Sequence, residues 1–299
     1  MQPSDLHVIT VMSNPMRYHS RVRLMKEFLA RMAKSGCTMW FVEATFGERG
    51  PQVADANNPN HIILRSDDEI WLKESMVNVA RNRLPADAKY IMWCDGDIEF
   101  ARDNWVEEVL HHLQHYHTVQ PFSDVIDLGK FDESLETHTG FAKMYEDGHP
   151  FTPGKGTFWH PGYAWAWRAS AWDAVGGMID RAICGAADHH MAAALIGHGD
   201  WTVPGNVHAN YKKMVADWQA KAEAFKGNHG HVMGTILHHY HGPKAKRYYV
   251  ERWGILTENN YDPDVDVVLD KQGLISLTGN KPKLRRDLRK YMGARDEDA

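Results

Sequence analysis

The chain has 299 residues, 43% of them hydrophobic and 24% charged, enough to bury a substantial core and too apolar for a disordered segment. Its formal charge of -5 excludes a global basic field for nucleic acid, although Lys281-Pro282-Lys283-Leu284-Arg285-Arg286 forms a local basic patch. Three scattered cysteines, Cys37, Cys94 and Cys184, read as reduced thiols and exclude a disulfide framework.

Leu6 to Met12 is a short apolar run of β-formers and reads as a buried strand, broken by Ser13-Asn14-Pro15. From His19 to Lys34 apolar residues recur at helical spacing until Ser35-Gly36. Thr38 to Ala44 reads as a second strand, and strand, helix, strand is the pattern of a parallel βαβ unit. Gly47 to Asn60 is a loop, His61 to Leu64 a third short strand and Trp71 to Leu84 a helix.

Tyr90 to Cys94 is a continuous apolar run, typical of a central parallel strand, and it stops at Asp95-Gly96-Asp97. Trp105 to Tyr116 is helical, and Pro121 to Gly162 reads as loops and short strands around a site. Ser170 to Val175 and Asp188 to Ile196 are short helices, Lys212 to Phe225 an amphipathic one, and Pro282 to Met292 a basic one. No apolar run near the N-terminus is long enough for a membrane anchor or a signal peptide, so no membrane partner is expected.

Ligands of open α/β sheets bind beyond the carboxyl ends of the strands, where Asp95 and Asp97 stand. Two carboxylates one residue apart can share a hard divalent cation that also grips a diphosphate, and Mg²⁺ and Mn²⁺ favour such oxygen-rich coordination. Asp-Gly is also ordinary turn chemistry, so the tripeptide alone admits both readings.

The segment Lys73-Glu74-Ser75-Met76-Val77-Asn78-Val79-Ala80-Arg81-Asn82, followed by Ala88 to Asp97, resembles the GT-A glycosyltransferases. In these enzymes a helix ending in Ala-Arg-Asn precedes the strand bearing an Asp-x-Asp motif. The resemblance implies that Asp95 and Asp97 hold metal and donor, with Arg81 near the donor. Asn14, Arg17 and Arg21, after the first strand, fall where such folds hold the nucleotide.

A second stretch, Trp159-His160-Pro161-Gly162-Tyr163-Ala164-Trp165-Ala166 and then Gly185-Ala186-Ala187-Asp188-His189-His190-Met191, looks like the acceptor-facing region of the same enzymes. There an acidic residue opens a helix and, in inverting members, is the general base. Asp188 is the candidate, with an N-cap as its structural alternative. Many relatives carry Glu-Asp where this chain has Ala187-Asp188, so one carboxylate serves alone or His189 or His190 assists. Trp159 and Trp165 are candidates to stack on a sugar or nucleobase, a buried aromatic being the alternative.

The third stretch, His238-His239-Tyr240-His241-Gly242-Pro243-Lys244-Ala245-Lys246-Arg247, is similar to the C-terminal segment of polypeptide N-acetylgalactosaminyltransferase-like enzymes. There a late His completes the metal site and a basic loop covers the diphosphate. His239 and His241 share a face if the stretch is extended, and either is a candidate third ligand favouring Mn²⁺. Lys244, Lys246 and Arg247 are candidates to neutralise the leaving diphosphate. A zinc site from His229, His231, His239 and His241 is the competing use.

The whole pattern, from Val119 to Asp124 through Trp159 to Trp167 and on to Gly185 to Ala192, also looks like glycosyltransferases encoded by bacteriophages, some of which decorate hydroxymethylated DNA bases. The resemblances imply an α/β fold of GT-A, Rossmann-like type: a mostly parallel sheet flanked by helices, with a C-terminal segment closing the active site. They imply one domain over 1–299, with 1–100 as nucleotide-sugar and metal half, 101–215 as acceptor side and 216–299 as the closing segment. The expected activity is hexosyl or pentosyl transfer from a nucleoside-diphosphate sugar, UDP-sugar favoured, with Mn²⁺ or Mg²⁺. The acceptor is DNA, a saccharide or a protein, and the expected setting is cytoplasmic, the host cytoplasm for a phage protein. A non-catalytic sugar- or zinc-binding protein is the alternative.

Overall fold

A computed structural model describes residues 1–152 and 158–299. In chain order its elements are β1 (Leu6–Ser13), α1 (His19–Met32), β2 (Thr38–Phe46), β3 (His61–Ser66), α2 (Lys73–Arg81), β4 (Tyr90–Cys94), β5 (Ile98–Phe100), α3 (Trp105–His112) and β6 (Thr118–Gln120). There follow β7 (Asp124–Leu128), β8 (Ser134–Gly140), α4 (Phe141–Glu146), β9 (Trp159–His160), β10 (Ala164–Arg168), α5 (Ala169–Val175), α6 (Ala187–Leu195) and α7 (Ala209–Ala222). The last are β11 (His229–His231), β12 (Thr235–His238), α8 (Trp253–Glu258), β13 (Val267–Leu269), β14 (Ile275–Leu277) and α9 (Pro282–Ala294).

Seven strands form the central sheet in the order β11-β6-β10-β4-β1-β2-β3. β3, β2, β1 and β4 pair in parallel; β10 runs antiparallel between β4 and β6, and β11 pairs in parallel with β6. Strands covered on both faces must be apolar on both, and β1 and β4 show it. Leu6, Val8, Met12, Met92 and Cys94 join Met25, Phe28 and Met32 of α1 and Val106 and Val109 of α3 on one side. Ile9, Ile91 and Trp93 join Met76, Val77 and Ala80 of α2 and Met191 of α6 on the other. The fold is therefore α/β, a mostly parallel sheet flanked by helices.

A smaller sheet, β5-β12-β7-β8-β9, stands beside it. Four three-residue links join the two sheets: 95–97 from β4 to β5, 121–123 from β6 to β7, 161–163 from β9 to β10 and 232–234 from β11 to β12. The chain thus changes sheet at each of these points. The Asp-Gly-Asp segment is one of them, so its carboxylates lie on a seam and not inside either sheet.

The span 121–162, expected as loops and short strands, carries β7, β8, α4 and β9; its residues 153–157 lie outside those described. The helix expected from Trp71 begins at Lys73, because the Trp71 N–H donates to Ile183 O at 3.1 Å and keeps Ile70 to Leu72 out of the helix. Among the described residues no helix is long and apolar enough to cross a membrane.

Ile91 lies fully buried in β4 between β1 and β10. Ile91→Ala is expected to cost about 2–5 kcal/mol, read as a lower denaturation midpoint with unchanged slope. A midpoint equal to that of the parent chain would contradict a central β4.

Candidate functional site

From β1 the chain winds to β2 and β3 on one side, whereas β4 lies on the other. Strand order reverses at the β1/β4 boundary, the place in an open α/β sheet where a crevice forms beyond the strand ends. A cleft with about 1290 Å³ of empty space, its open mouth included, lies there. Its wall includes Ser13, Asp95, Asp97, Asp188, His241 and Arg247.

One side of the cleft gathers Asp97, His238 and His241. β12 pairs antiparallel with β5, setting His238 opposite Ile98, and the His239 N–H donates to Asp97 O at 2.8 Å. The Nε2 atoms of His238 and His241 lie 3.9 and 3.0 Å from Asp97 Oδ2 and 3.4 Å from each other. Ligand atoms held at about 2.1 Å from one divalent ion sit roughly 3 Å or a little more apart, so this spacing suits a cation.

Three further observations favour that fit. Asp97 Oδ1 is buried with no hydrogen-bond partner among the described residues. His241 Nε2 also meets Arg247 Nη2 at 2.9 Å. A guanidinium can only donate and an ionised carboxylate only accept, so the two neighbours require opposite tautomers of one nitrogen. A cation would satisfy the lone pair and the carboxylate together. Finally, each imidazole is backed by a carboxylate on its far nitrogen: Asp127 Oδ1 at 2.6 Å from His238 Nδ1, and Glu297 Oε2 at 3.6 Å from His241 Nδ1. Such backing orients metal-binding histidines. Burial would raise the Asp97 carboxyl, but His241, His238 and Arg247 outweigh it and hold it well below the usual carboxylate range.

The rest of the cleft is rich in cations. Arg21, Arg247, Arg252 and Arg295 line it, with Arg295 packed over the Trp71 ring at 5.3 Å. Trp71 Nε1 and Arg252 Nε are buried donors without partners among the described residues. Lys73, at the first turn of α2, reaches Asp95 Oδ1 at 2.5 Å and lies 4.2 Å above the Trp93 ring. Burial would lower the Lys73 ammonium, but Asp95, Asp188 and Glu74 hold it above the usual lysine range. Burial pushes Asp95 up to about 6 against the pull of Lys73, and Glu74, also in the wall, up to about 8.

Asp188 stands on the same wall as Lys73. Gly185 and Ala186 both have positive φ, 86° and 82°, and this left-handed pair turns the chain into α6. Ala186, not Asp188, is the N-cap; Asp188 is the second helical residue. Its Oδ1 accepts the His189 N–H at 2.8 Å, while Oδ2 faces Gly162, where a Cβ would come within 3.0 Å.

Several expected residues lie elsewhere. Arg81, at the far end of α2, pairs with Asp173 at 2.8 Å, and Trp159 is buried against Phe141 and Phe151. Trp165 is also core, its Nε1 donating to Pro161 O. Asn14 folds back on Tyr18, accepting its N–H and donating to its carbonyl, and with Arg17 borders a separate small pocket. Lys244 pairs with Asp127 and Glu136, and Lys246 is exposed outside the cleft wall.

His239, the residue after β12, faces Glu99, 3.3 Å off, while His241 joins His238 at Asp97; the stretch does not stay extended, so His239 and His241 do not share a face. His229 and His231 lie in the central sheet against Tyr145 and Glu146, so the four-histidine zinc arrangement does not form. Sequence reasoning passed over His238, Lys73, Trp71, Arg252 and Glu297. The available signal for His238 was a strand ending there that could pair with the residues after Asp97.

Titration with Mn²⁺ tests the cluster. Asp97→Ala is expected to abolish tight binding, and His238→Ala and His241→Ala to weaken it at least tenfold. His239→Ala should bind as the parent chain does; an equal loss in His239→Ala would contradict this ligand set.

No protein-family model and no curated protein matches the chain. The chain is similar to the catalytic domain of Drosophila β1,4-galactosyltransferase 7 in complex with xylobiose, at 12% identity and TM-score 0.42, over 93% of this chain and 98% of that one. It is similar to a mutant of the Drosophila enzyme in complex with manganese, UDP-Gal and xylobiose, at 12% identity and TM-score 0.34, over 63% and 59%. It is also similar to S. aureus TarS 1-349, at 12% identity and TM-score 0.37, over 64% and 55%. The last two matches span less than two thirds of those chains.

Proposed function

We propose that the chain is a metal-dependent glycosyltransferase of the GT-A type, moving a sugar from a nucleoside-diphosphate donor to an acceptor hydroxyl. The observation that carries this reading is one cleft lined by a cluster of groups able to ligate a cation, by a set of guanidiniums and by the Asp188 carboxylate. A nucleoside-diphosphate sugar needs all three: a cation on its diphosphate, fixed positive charge for the leaving group and a base for the acceptor.

Asp97, His238 and His241 would hold Mn²⁺ or Mg²⁺, the imidazoles favouring Mn²⁺, and the ion would supply charge to the diphosphate oxygens. Arg247 and Arg252 face the same space, and their charge favours a leaving group that gains negative charge as the sugar departs. Trp71 offers a flat ring and an unpartnered N–H to the donor. Lys73 holds Asp95 at the donor end, keeping that carboxylate from closing on the cation site.

On the acceptor side, Asp188 Oδ2 takes the proton of an attacking hydroxyl. The proton moves to the carboxylate as the oxygen bonds to the anomeric carbon and the diphosphate leaves with its bonding electrons. A single displacement of this kind inverts configuration. UDP is the favoured donor base. A hydroxymethylated base in bacteriophage DNA is one acceptor this reading admits, beside saccharides and proteins; transfer to duplex DNA would fall steeply with added salt, and transfer to a neutral saccharide would not.

A panel of nucleoside-diphosphate sugars, with and without Mn²⁺, tests the donor. One donor is expected to raise the melting temperature only with the metal present, because a ligand of the native state stabilises by mass action. Asp188→Asn should keep that shift and lose transfer by roughly 10²–10⁴-fold. No shift with any donor, or full transfer by Asp188→Asn, would contradict the reading.

A further inference from the structure

Behind the cleft, residues 295–298 are tied to the segment that follows β1. Asp298 accepts the His19 and Ser20 N–H groups at 2.9 and 2.8 Å, and the Ser20 hydroxyl donates to Glu297 O at 2.8 Å. The Asp296 N–H donates to the Tyr18 hydroxyl at 3.1 Å. The loop bearing His241 packs on the same stretch. At Gly242, with φ +86°, a Cβ would lie 2.7 Å from Asp296 O and 2.8 Å from Glu297 Cα, so only glycine fits.

Glu297 itself is almost wholly buried, between two arginines and His241. Its Oε1 accepts from Arg21 Nη2 at 2.7 Å and Arg295 Nε at 2.6 Å, and Arg21 Nε meets Oε2. The same Oε2 faces His241 Nδ1 across 3.6 Å. Held by two guanidiniums, this carboxylate cannot swing away. It stands on the side of the ring opposite the nitrogen that meets Asp97.

We propose that Glu297 is a positioning residue for the cation centre. Across 3.6 Å its charge favours the proton on His241 Nδ1, leaving the Nε2 lone pair turned towards Asp97; Asp127 does the same for His238 through a 2.6 Å hydrogen bond. This inference rests on the reading of Asp97, His238 and His241 as cation ligands. Glu297 touches neither substrate nor cation and acts through His241. It also balances Arg21 and Arg295, two of the guanidiniums lining the donor cleft.

Mn²⁺ titration of the full chain by calorimetry tests it, in the parent, Glu297→Gln, His241→Gln and the double variant. Glu297→Gln is expected to weaken Mn²⁺ roughly 10- to 100-fold, the usual cost of losing a carboxylate behind a metal histidine. In the His241→Gln background the same change should cost less than about twofold, since the ring it acts through is gone. An unchanged affinity in Glu297→Gln, or an equal loss with and without His241, would overturn the proposal while leaving the cation site standing. A parent chain that binds no Mn²⁺ would instead remove the reading beneath it. If Glu297→Gln does not fold, Glu297→Asp keeps the charge between the arginines and shortens the reach. It should bind Mn²⁺ more weakly than the parent, and equal binding would overturn the proposal.

Discussion

The grouping of Asp97, His238 and His241, proposed above as a cation centre, depends on the register between β5 and β12. β4 ends in the large sheet, the chain crosses through Asp95-Gly96-Asp97, and β5 then lies antiparallel to β12 with Ile98 opposite His238. The same β12 pairs in parallel with β7, setting His238 opposite Asp127. Two ladders therefore fix one histidine between the carboxylate it faces and the carboxylate behind it. Strand side chains alternate, so a slip of one residue would put His239 in the centre and turn His238 out towards Glu99. At Gly96 a Cβ would lie 2.2 Å from Met25 Cε, so the flexible Met25 side chain fills the space that glycine leaves beside the crossing.

Around this cluster, groups of both charges line one space. Asp97 and the two imidazoles form one side; Arg247, Arg252 and Arg295 face the same space, and Lys73 stands between Asp95 and Asp188. Gathering guanidiniums in a partly enclosed space is unfavourable unless counter-charges are supplied. Glu297 supplies one for Arg21 and Arg295, whereas the buried Trp71 Nε1 and Arg252 Nε donors have no partner among the described residues. Perturbed charges gathered in a cleft in this way are typical of functional sites.

The frame of the fold was legible because its strands are buried on both faces. The runs at Leu6 to Met12 and Tyr90 to Cys94 carry apolar residues at nearly every position, and both strands appear within a residue of those limits. Strong apolar spacing marks α1 from its first residue, His19, and ends it two residues late; for α7 both expected ends lie three residues beyond the observed ones. β8 was not legible as a strand: Ser134 to Thr137 are all exposed, so no buried face marks its period.

The site was legible in part for a related reason. Asp95 and Asp97 draw attention because an apolar strand stops at them, and both line the cleft, but only Asp97 joins the His238–His241 cluster, Asp95 pairing with Lys73; Asp188, after a turn of small residues, lines the cleft too. The choice among His238, His239 and His241 depends on a pairing between residues far apart in the chain, which local spacing cannot show. Arg81 drew attention at the wrong end of its helix. At 1.5 Å per residue, eight residues separate it from Lys73 by about 12 Å along the axis, so only the first turn reaches the cleft. Trp159 illustrates the ordinary fate of tryptophan, packed among Phe141 and Phe151.

We propose that one divalent cation binds between Asp97, His238 and His241 and that a diphosphate binds beside it. Crystals grown with Mn²⁺ and UDP, measured at the manganese absorption edge, would locate both. One strong anomalous peak is expected within about 2.3 Å of Asp97 Oδ and both Nε2 atoms, with diphosphate oxygens beside it. A peak held by other residues, or diphosphate bound in the cleft with no manganese beside it, would contradict it.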